Sequence, residues 1–273
     1  MKPPRRLHAA ADKMGTILLS CIRYAGGLGL LCDDTARAAW RTLVTHPTKF
    51  SRHSLMTQMV RVGVRSWGIV ILVQAFIGVI LALQMAPPLR PWGQEPLIAN
   101  IIGIAGFRML GPIITGIVIS GFAGASIAAE LGTMVVSEEI EALEAMAMDP
   151  IRYLVVPRVV ATVVMMVLLT VVADVVIALG GYLTALLTLG SDVYMSYFDR
   201  MQTQLGYRDF ITGLIQAGVF GLLISLIACY EGLRVRGGAS GVGHATTQTV
   251  VKSIVAIIFS ACVFTIIFFI LKF

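Results

Sequence analysis

Five stretches of this 273-residue chain are apolar enough and long enough to cross a lipid bilayer. They lie at approximately residues 64–85, 98–129, 156–188, 209–231 and 250–271. A transmembrane helix needs roughly 20 mostly apolar residues, because the hydrocarbon core of a bilayer is about 30 Å thick. With 57% hydrophobic and only 13% charged residues, the chain must be solvated largely by lipid. The sequence therefore predicts an all-α integral membrane protein with five transmembrane helices.

The region before the first apolar stretch has a different character. Residues 14–50 mix apolar positions with charged ones, and Trp40 lies among them. This density of charge favours a helix that lies along the membrane interface over one that crosses the membrane. We therefore divide the chain into an N-terminal cytoplasmic or interfacial helical segment, residues 1–55, and a transmembrane domain, residues 56–273. A sixth span at residues 14–32 is the alternative.

Basic residues are unequally distributed along the chain, which predicts its orientation. Sixteen lysines and arginines lie either before or at the start of the first stretch, or in or beside the loops after the second and fourth stretches, whereas four lie on the other side. Loops rich in Lys and Arg stay in the cytoplasm. We therefore expect a cytoplasmic N-terminus and a C-terminus outside. The net charge of +6 reflects this bias, and the basic residues form no patch with interleaved aromatics that would indicate nucleic-acid binding.

The most distinctive short feature is an acidic segment, residues 137–149, between the second and third stretches. Ser137 is a residue type that caps helices, and Glu138 and Glu139 would lie in the favourable first turn. Pro150 would end the helix. Glutamates recur at helical spacing opposite an apolar stripe, which predicts a short two-faced helix. Such a helix is either a solvated connector or a contact site for a soluble protein.

The second stretch combines a basic residue with proline and many small residues. Arg108 is followed by Gly111 and Pro112, and then by residues 121–126, which are small apart from Phe122. Proline and glycine favour a kink or a broken helix, whereas small residues favour close packing between helices. The sequence leaves both interpretations open.

One carboxylate, Asp174, lies in the middle of the third stretch. An ionised carboxylate that faced lipid would cost about 3 kcal/mol or more. Asp174 is therefore expected to face the protein interior or to be protonated, either as a functional group or in a structural hydrogen bond, for example with Thr170. Arg108, a cation within the second stretch, could likewise be either a functional group or a structural one. Glu130 is expected at the cytoplasmic boundary.

The chain carries no recognisable apparatus for nucleotide, metal or hydrolytic chemistry. It has no GxxxxGK[ST] sequence for ATP binding and no GxSxG or HExxH motif. Its four histidines are scattered, and its four cysteines form no CxxC pair. We therefore expect a non-catalytic chain with no catalytic residues, no metal site and no bound cofactor.

Several segments resemble the MlaE/YrbE permeases, which are the membrane subunits of ABC-type lipid transporters that work with MCE proteins. The resemblance rests on residues 121–132, on residues 138–150 with the pair Pro157-Arg158, on residues 229–238 and on residues 245–251. It extends from about residue 50 to the end of the chain. The acidic segment together with the Pro-Arg pair is its most specific part.

The resemblance implies a homodimer of permeases in a bacterial inner membrane, each with an N-terminal interfacial helix and five spans. Two cytoplasmic ATPase subunits would bind the homodimer and hydrolyse ATP, and an MCE protein would sit on its outer face. The acidic segment would be the coupling helix that docks on the ATPase. The docking residues would be Glu138, Glu139, Glu141, Leu143, Glu144, Met146, Asp149 and Arg158.

The same resemblance implies an outward-facing lipid cavity at the dimer interface, lined by the first, second and fifth spans. The candidate cavity residues are Leu81 and Gln84 in the first span, and Arg108 and Leu110 in the second. The family pattern has an acidic residue where this chain has Met109, so the partner of Arg108 is open.

Three other functions remain as alternatives. A proton-coupled secondary carrier of an apolar substrate would use Asp174 as its proton site and Arg108 as that residue's partner, although no internal repeat is evident. A membrane-embedded lipid-modifying enzyme would need a polar catalytic cluster, and a structural scaffold would hold no lipid. For a lipid transporter, the sequence leaves open the lipid (phospholipid, fatty acid or sterol), the direction of transport, and whether the envelope is Gram-negative or actinobacterial.

Overall fold

A computed structural model describes residues 5–45 and 52–270 of the protein. Within these ranges the backbone is helical apart from short connections, and no strand is present. Contacts divide the chain into two compact units, residues 1–50 and residues 51–273. The first unit holds one long helix, and the second holds all the membrane spans.

The helix of the first unit is α1 (Arg5–Thr45). Among the helices that the structure describes, α1 is not one of those apolar enough to span a membrane, so the alternative span at residues 14–32 finds no support. Charged side chains interrupt its apolar positions, and Asp33 forms an ion pair with Arg37 one turn later. Its location along the membrane interface stays a prediction.

The second unit is built from eleven further α-helices, several of them joined end to end by π-helical turns. The helices are α2 (Arg52–Met59), α3 (Trp67–Leu89), α4 (Leu97–Ala105), α5 (Gly111–Ile119), α6 (Ala125–Val136), α7 (Glu139–Ala145), α8 (Val156–Thr184), α9 (Ser191–Met195), α10 (Tyr197–Gln204), α11 (Tyr207–Leu233) and α12 (Ala239–Ile270). The π-helical turns are Val60–Val64, Gly106–Leu110, Ser120–Gly124, Ile151–Val155 and Ala185–Leu189.

These helices make five membrane spans, which confirms the predicted number. They are span 1 (His53–Trp92), span 2 (Leu97–Val136), span 3 (Ile151–Thr188), span 4 (Tyr207–Leu233) and span 5 (Ala239–Ile270). The spans alternate in direction, so α7 and the connection between spans 4 and 5 lie at one end of the bundle, which we call the α7 end. The other end is called the far end. The predicted fold class, an all-α integral membrane protein, is confirmed.

Span 3 lies at the centre of the bundle and packs against spans 1, 2 and 4. Spans 1 and 3 cross with their backbones in contact. A Cβ atom on Gly78 would lie 2.2 Å from the carbonyl oxygen of Ile177, and one on Gly180 would lie 2.5 Å from that of Ala75. Both distances are far below van der Waals contact, so only glycine allows this approach.

Span 2 is both irregular in its helix geometry and closely packed, the two interpretations that its sequence left open. Two π-helical turns, Gly106–Leu110 and Ser120–Gly124, interrupt its α-helical geometry, and Pro112 follows the first of them. The small-residue segment also packs closely: a Cβ atom on Gly124 would lie 3.3 Å from the side chain of Ile224 in span 4. Irregular helix geometry and close packing therefore occur together.

The short helices α9 and α10 pack on span 3 at the far end. Tyr197 of α10 is fully buried, and its ring meets that of Tyr182 edge-on with centroids 5.7 Å apart. Gly181 makes room for the Tyr197 hydroxyl, because a Cβ atom there would lie 2.3 Å from it. Burial raises the pKa of Tyr197, so the phenol stays neutral.

Large apolar side chains cover much of the outer surface of the bundle. Examples are Phe76 on span 1, Leu168 on span 3, and Val255 and Phe259 on span 5, all of which are at least half exposed. In water such a surface would cause aggregation, whereas lipid or a second subunit can cover it.

Candidate functional site

The acidic segment contains a helix that is shorter than predicted. This helix, α7, covers Glu139–Ala145. Ser137 does not cap it, because the residue that precedes its first turn is Glu138, and no side chain makes a capping hydrogen bond there. The single proton of the Ser137 hydroxyl is shared between the carbonyl oxygen of Thr133 and the carboxylate of Glu139, both 2.9 Å away. The predicted Ser137 cap is therefore wrong: Ser137 is the residue that ends α6.

Left-handed backbone at non-glycine residues marks both ends of α7. Glu138 has a φ of 59° and Ala147 a φ of 57°. This region costs non-glycine residues about 1–2 kcal/mol each, and such strain is concentrated at functional elements. The helix also ends at Ala145 and not at Pro150, which directly precedes the π-helical turn into span 3.

α7 presents carboxylates and apolar side chains on its surface. The predicted docking residues Glu138, Glu139, Glu141, Glu144, Met146 and Asp149 are exposed, and Leu143 is half-buried. Met146 is 62% exposed, and the neighbouring Met148 and Tyr153 add more exposed apolar area. Exposed methionines beside charged groups suit a surface that binds another protein, because methionine adapts its shape to a partner.

Two of the predicted docking residues have structural roles. A carboxylate oxygen of Asp149 accepts a hydrogen bond of 3.0 Å from the backbone N–H of Ile151, at the start of span 3. Arg158 is only 3% exposed, so it is not part of an exposed docking surface. The structure corrects the prediction for Arg158, because this residue lies inside span 3 with its guanidinium against span 2.

Glu130 joins three spans near the α7 end of the bundle. Its carboxylate accepts a hydrogen bond from Arg61 of span 1 and lies 3.0 Å from the guanidinium of Arg158 in span 3, while Glu130 itself belongs to span 2. Arg158 also donates to the carbonyl oxygen of Leu154, at 2.7 Å. We call Arg61, Glu130 and Arg158 the Glu130 cluster. Breaking a buried ion pair leaves an uncompensated charge, so the cluster holds the three spans in a fixed arrangement.

A second ion pair ties spans 4 and 5 together on the same side. The ammonium group of Lys252 lies 2.8 Å from the carboxylate of Glu231. Nearby, the guanidinium of Arg234 stacks over the ring of Tyr230 at 4.9 Å from its centroid. The connection that follows span 4 lines a polar cavity of about 410 Å³.

Arg108 has an acidic partner, although this chain has Met109 where the family pattern has an acid. Its guanidinium lies 3.5 Å from the carboxylate of Asp209, at the start of span 4. It also lies 5.3 Å from the ring centroid of Phe268 in span 5, within range of a cation–π contact. Arg108 therefore connects spans 2, 4 and 5 towards the far end. Its partner is Asp209. The carrier hypothesis required Asp174 as the partner, and the structure does not show that pair.

The predicted cavity residues divide between two parts of the bundle. Leu81 packs against the far-end core around Ile102, and Gln84, about one turn later, is exposed. Arg108 contacts spans 4 and 5 instead, and Leu110 is half-buried. A single chain therefore shows these residues in place but not in one enclosed cavity.

A mainly apolar cavity of about 480 Å³ opens at the far end of spans 1 and 3. It is lined by Leu83, Ala86, Pro87, Arg90, Pro91 and Thr188. Arg90 forms an ion pair of 3.0 Å with Glu95 at the rim. The sequence prediction missed this cavity, although most of its lining residues lie within about two turns of Gln84 in span 1.

Asp174 is completely buried, and neither carboxylate oxygen has a hydrogen-bond partner. The hydrogen bond considered between Asp174 and Thr170 does not form, because the Thr170 hydroxyl donates to the carbonyl oxygen of Met166 at 2.8 Å. The side chain instead lies against Gly111 of span 2. Its predicted orientation towards the protein interior is confirmed.

Comparison with known proteins connects this arrangement with a family. The family model described as permease MlaE matches residues 55–267. A probable ABC transporter permease protein of Rickettsia bellii is 38% identical over 251 residues, which cover 91% of this chain and 94% of that protein. The intermembrane phospholipid transport system permease protein MlaE of Haemophilus influenzae is 32% identical over 200 residues, which cover 73% of this chain and 76% of that protein.

A plant protein is also similar to this chain. The chloroplastic protein TRIGALACTOSYLDIACYLGLYCEROL 1 of Arabidopsis thaliana is 34% identical over 221 residues, covering 81% of this chain and 63% of that protein. The region matched by the family model contains α7, the Glu130 cluster, Arg108 and Asp174. The resemblance seen in the sequence is thus confirmed, and the chain belongs to the MlaE family of membrane permeases.

Proposed function

We propose that this chain is the permease subunit of an ATP-driven transporter that moves phospholipid or a related lipid between the inner membrane and an MCE protein. The observation that carries the proposal is α7, an exposed acidic helix whose flanking spans are joined by the Glu130 cluster. The relatives support it, since one is named as a permease of an intermembrane phospholipid transport system and another as a probable ABC transporter permease.

The motor would be a separate protein. The sequence has no ATP-binding motif, so ATP would be bound and hydrolysed by a cytoplasmic ATPase dimer while this chain binds no cofactor. α7 suits a groove on such a partner, because its exposed glutamates offer charge complementarity and its exposed methionines offer adaptable apolar contact. The α7 end would then face the cytoplasm, with the N-terminus inside and the C-terminus outside.

Force on α7 would reach the membrane through the chain on both of its sides. α7 follows span 2 and precedes span 3, and the pair between Glu130 and Arg158 closes the base of this loop. Arg61 extends the link to span 1. When two motors close, a push on α7 would therefore move three spans together, instead of bending the acidic segment alone.

The far end would handle the lipid. Arg108 is partly exposed, and its guanidinium presents five N–H donors in the geometry that matches a phosphate group. Exposed apolar faces on spans 1 and 5 would meet a second copy of the chain and enclose the acyl chains between them. Leu81, Gln84, Arg108 and Leu110 would line that cavity in the homodimer, below the MCE protein.

The test replaces Glu139 and Glu144 by lysine and measures co-purification of the co-expressed ATPase and lipid-stimulated ATP turnover. We expect both to be lost, because two repulsive charges would face the docking groove. A control for the position of the new charge compares two single variants, Glu139→Lys and Asp199→Lys. Both exposed acids lie in the first turn of a helix, but Asp199 is on α10 at the far end. Unchanged docking and turnover in the double lysine variant would reject the proposal, as would an equal loss with Asp199→Lys.

One observation favours a second candidate, a proton-coupled carrier: Asp174 is buried inside the membrane without a partner. Such a carrier would move its substrate in proteoliposomes under a pH gradient without ATP. Transport that requires the ATPase and persists without the gradient would exclude this candidate.

A further inference from the structure

The centre of the bundle contains a small group of polar side chains where spans 1, 2 and 3 meet. Gln74 comes from span 1, Thr115 from span 2 and Asp174 from span 3, and all three have no exposed surface. Buried polar groups in a membrane are expensive unless they bind each other. Their hydrogen bonds can therefore be accounted for atom by atom.

Gln74 uses its amide nitrogen fully and its amide oxygen not at all. The nitrogen Nε2 donates to the carbonyl oxygen of Gly111 at 3.2 Å and to the hydroxyl oxygen of Thr115 at 2.9 Å. The oxygen Oε1 is buried and has no partner. What Gln74 lacks is a donor.

Asp174 approaches the same residue of span 2. A Cβ atom placed on Gly111 would lie only 2.0 Å from the carboxylate oxygen Oδ1, so the carboxyl group is pressed against the Cα atom of this glycine. Both carboxylate oxygens are buried and unpaired. An ionised carboxylate has only acceptors and would leave three buried acceptor atoms without a donor, counting Oε1 of Gln74.

The side chains near this site do not compensate a negative charge on Asp174. Arg108, one turn before Gly111 in span 2, is committed to the carboxylate of Asp209 and to the ring of Phe268. Gln216, which span 4 contributes to the bundle interior, is uncharged and has an unpaired Oε1 of its own. The described residues therefore provide no cation that compensates Asp174.

We propose that Asp174 binds a proton and that the resulting carboxylic acid donates its O–H towards Oε1 of Gln74, directly or through one water molecule. The proton changes Asp174 from a pure acceptor into a donor, which is the group that Gln74 lacks. The neutral acid then completes a hydrogen-bonded connection from span 3 through Gln74 to Gly111 and Thr115. This proton-binding site does not depend on the transport proposal.

Infrared difference spectroscopy of the protein in lipid nanodiscs tests the proton directly. Subtracting the spectrum of Asp174→Asn from that of the natural protein at neutral pH should reveal the C=O stretch of a protonated carboxylic acid. The matched control is Asp209→Asn, whose difference spectrum should contain the bands of an ionised carboxylate because Asp209 pairs with Arg108. An ionised carboxylate signal for Asp174 would overturn the proposal.

A mutant cycle tests the connection to Gln74. Asp174→Asn keeps a donor and should leave the thermal midpoint close to that of the natural protein, whereas Asp174→Leu should lower it by about 5 °C, since Oε1 stays unpaired. The shifts of Asp174→Leu and Gln74→Leu should add to more than the shift of the double variant. Gln216→Leu combined with Asp174→Leu is the additive control. Simple additivity for the Gln74 pair would refute the hydrogen bond.

Neither experiment requires an ATPase or a lipid cargo. A failed docking test with a positive infrared result would therefore reject the transport mechanism and leave the proton site standing. The opposite pair of results would reject the proton site alone.

Discussion

Replacing Glu130 by glutamine removes the one negative charge of the Glu130 cluster while keeping the shape of the side chain. Glu130 and Arg158 are 3.0 Å apart. At an effective dielectric constant of about 20, their attraction is about 5 kcal/mol. The guanidinium of Arg158 stays buried after the change, and glutamine still offers a neutral acceptor. Removing one partner of a buried pair costs roughly 3–5 kcal/mol, so we expect a loss near the lower value, about 3 kcal/mol.

Thermal unfolding in nanodiscs measures this loss. A cost of about 3 kcal/mol should lower the midpoint by roughly 10 °C for a domain of this size. Glu231→Gln is the matched control, because the partner of Glu231, Lys252, is one-third exposed and solvent weakens the pair. We expect a cost below about 1 kcal/mol there.

A second change distinguishes loss of charge from loss of packing. Adding Arg158→Met to Glu130→Gln should restore part of the stability, because the uncompensated buried charge is then gone. The transport mechanism adds that Glu130→Gln should still bind the ATPase but move less lipid for each ATP hydrolysed. Equal stability of Glu130→Gln and Glu231→Gln, or no recovery in the double variant, would refute the role given to the cluster.

Three further predictions concern other parts of the bundle. Gly78→Val should prevent spans 1 and 3 from packing and abolish the folded protein in size-exclusion profiles, whereas Gly68→Val on the same helix, where a Cβ atom meets open space, should be tolerated. Asp209→Asn should increase the amount of anionic phospholipid that native mass spectrometry finds on the protein, because the guanidinium of Arg108 loses its competing carboxylate; unchanged lipid binding would count against Arg108 as a headgroup contact. Tyr197→Phe should raise the thermal midpoint by a few degrees, since it removes a buried hydroxyl without a partner, and a lower midpoint would show that this hydroxyl is bonded.

The sequence was sufficient for features that depend on local composition. The number of spans follows from the length of the apolar stretches, and the interior position of Asp174 follows from the cost of a charge in lipid. The acidic segment was recognisable because carboxylates are rare elsewhere in the chain. These features need no knowledge of which helix touches which.

Features that depend on contacts between distant residues could not be predicted. Arg61 and Glu130 are 69 positions apart, and nothing in the spacing of either span pairs them. Arg108 likewise finds its carboxylate on span 4, far along the chain from the position where the family pattern has an acid. The Ser137 cap failed for a local reason, since Ser137 ends α6 and Glu138 is the residue that precedes α7.

The two π-helical turns of span 2 leave nine α-helical residues, Gly111–Ile119, between them. A π turn contains about one residue more than an α turn, so shifting such a turn along a helix rotates the residues it passes by about 100° and moves them about 1.5 Å along the axis. If either turn moved into this middle section, the residues that it passed would present different side chains to the neighbouring spans while both ends of the helix kept their places.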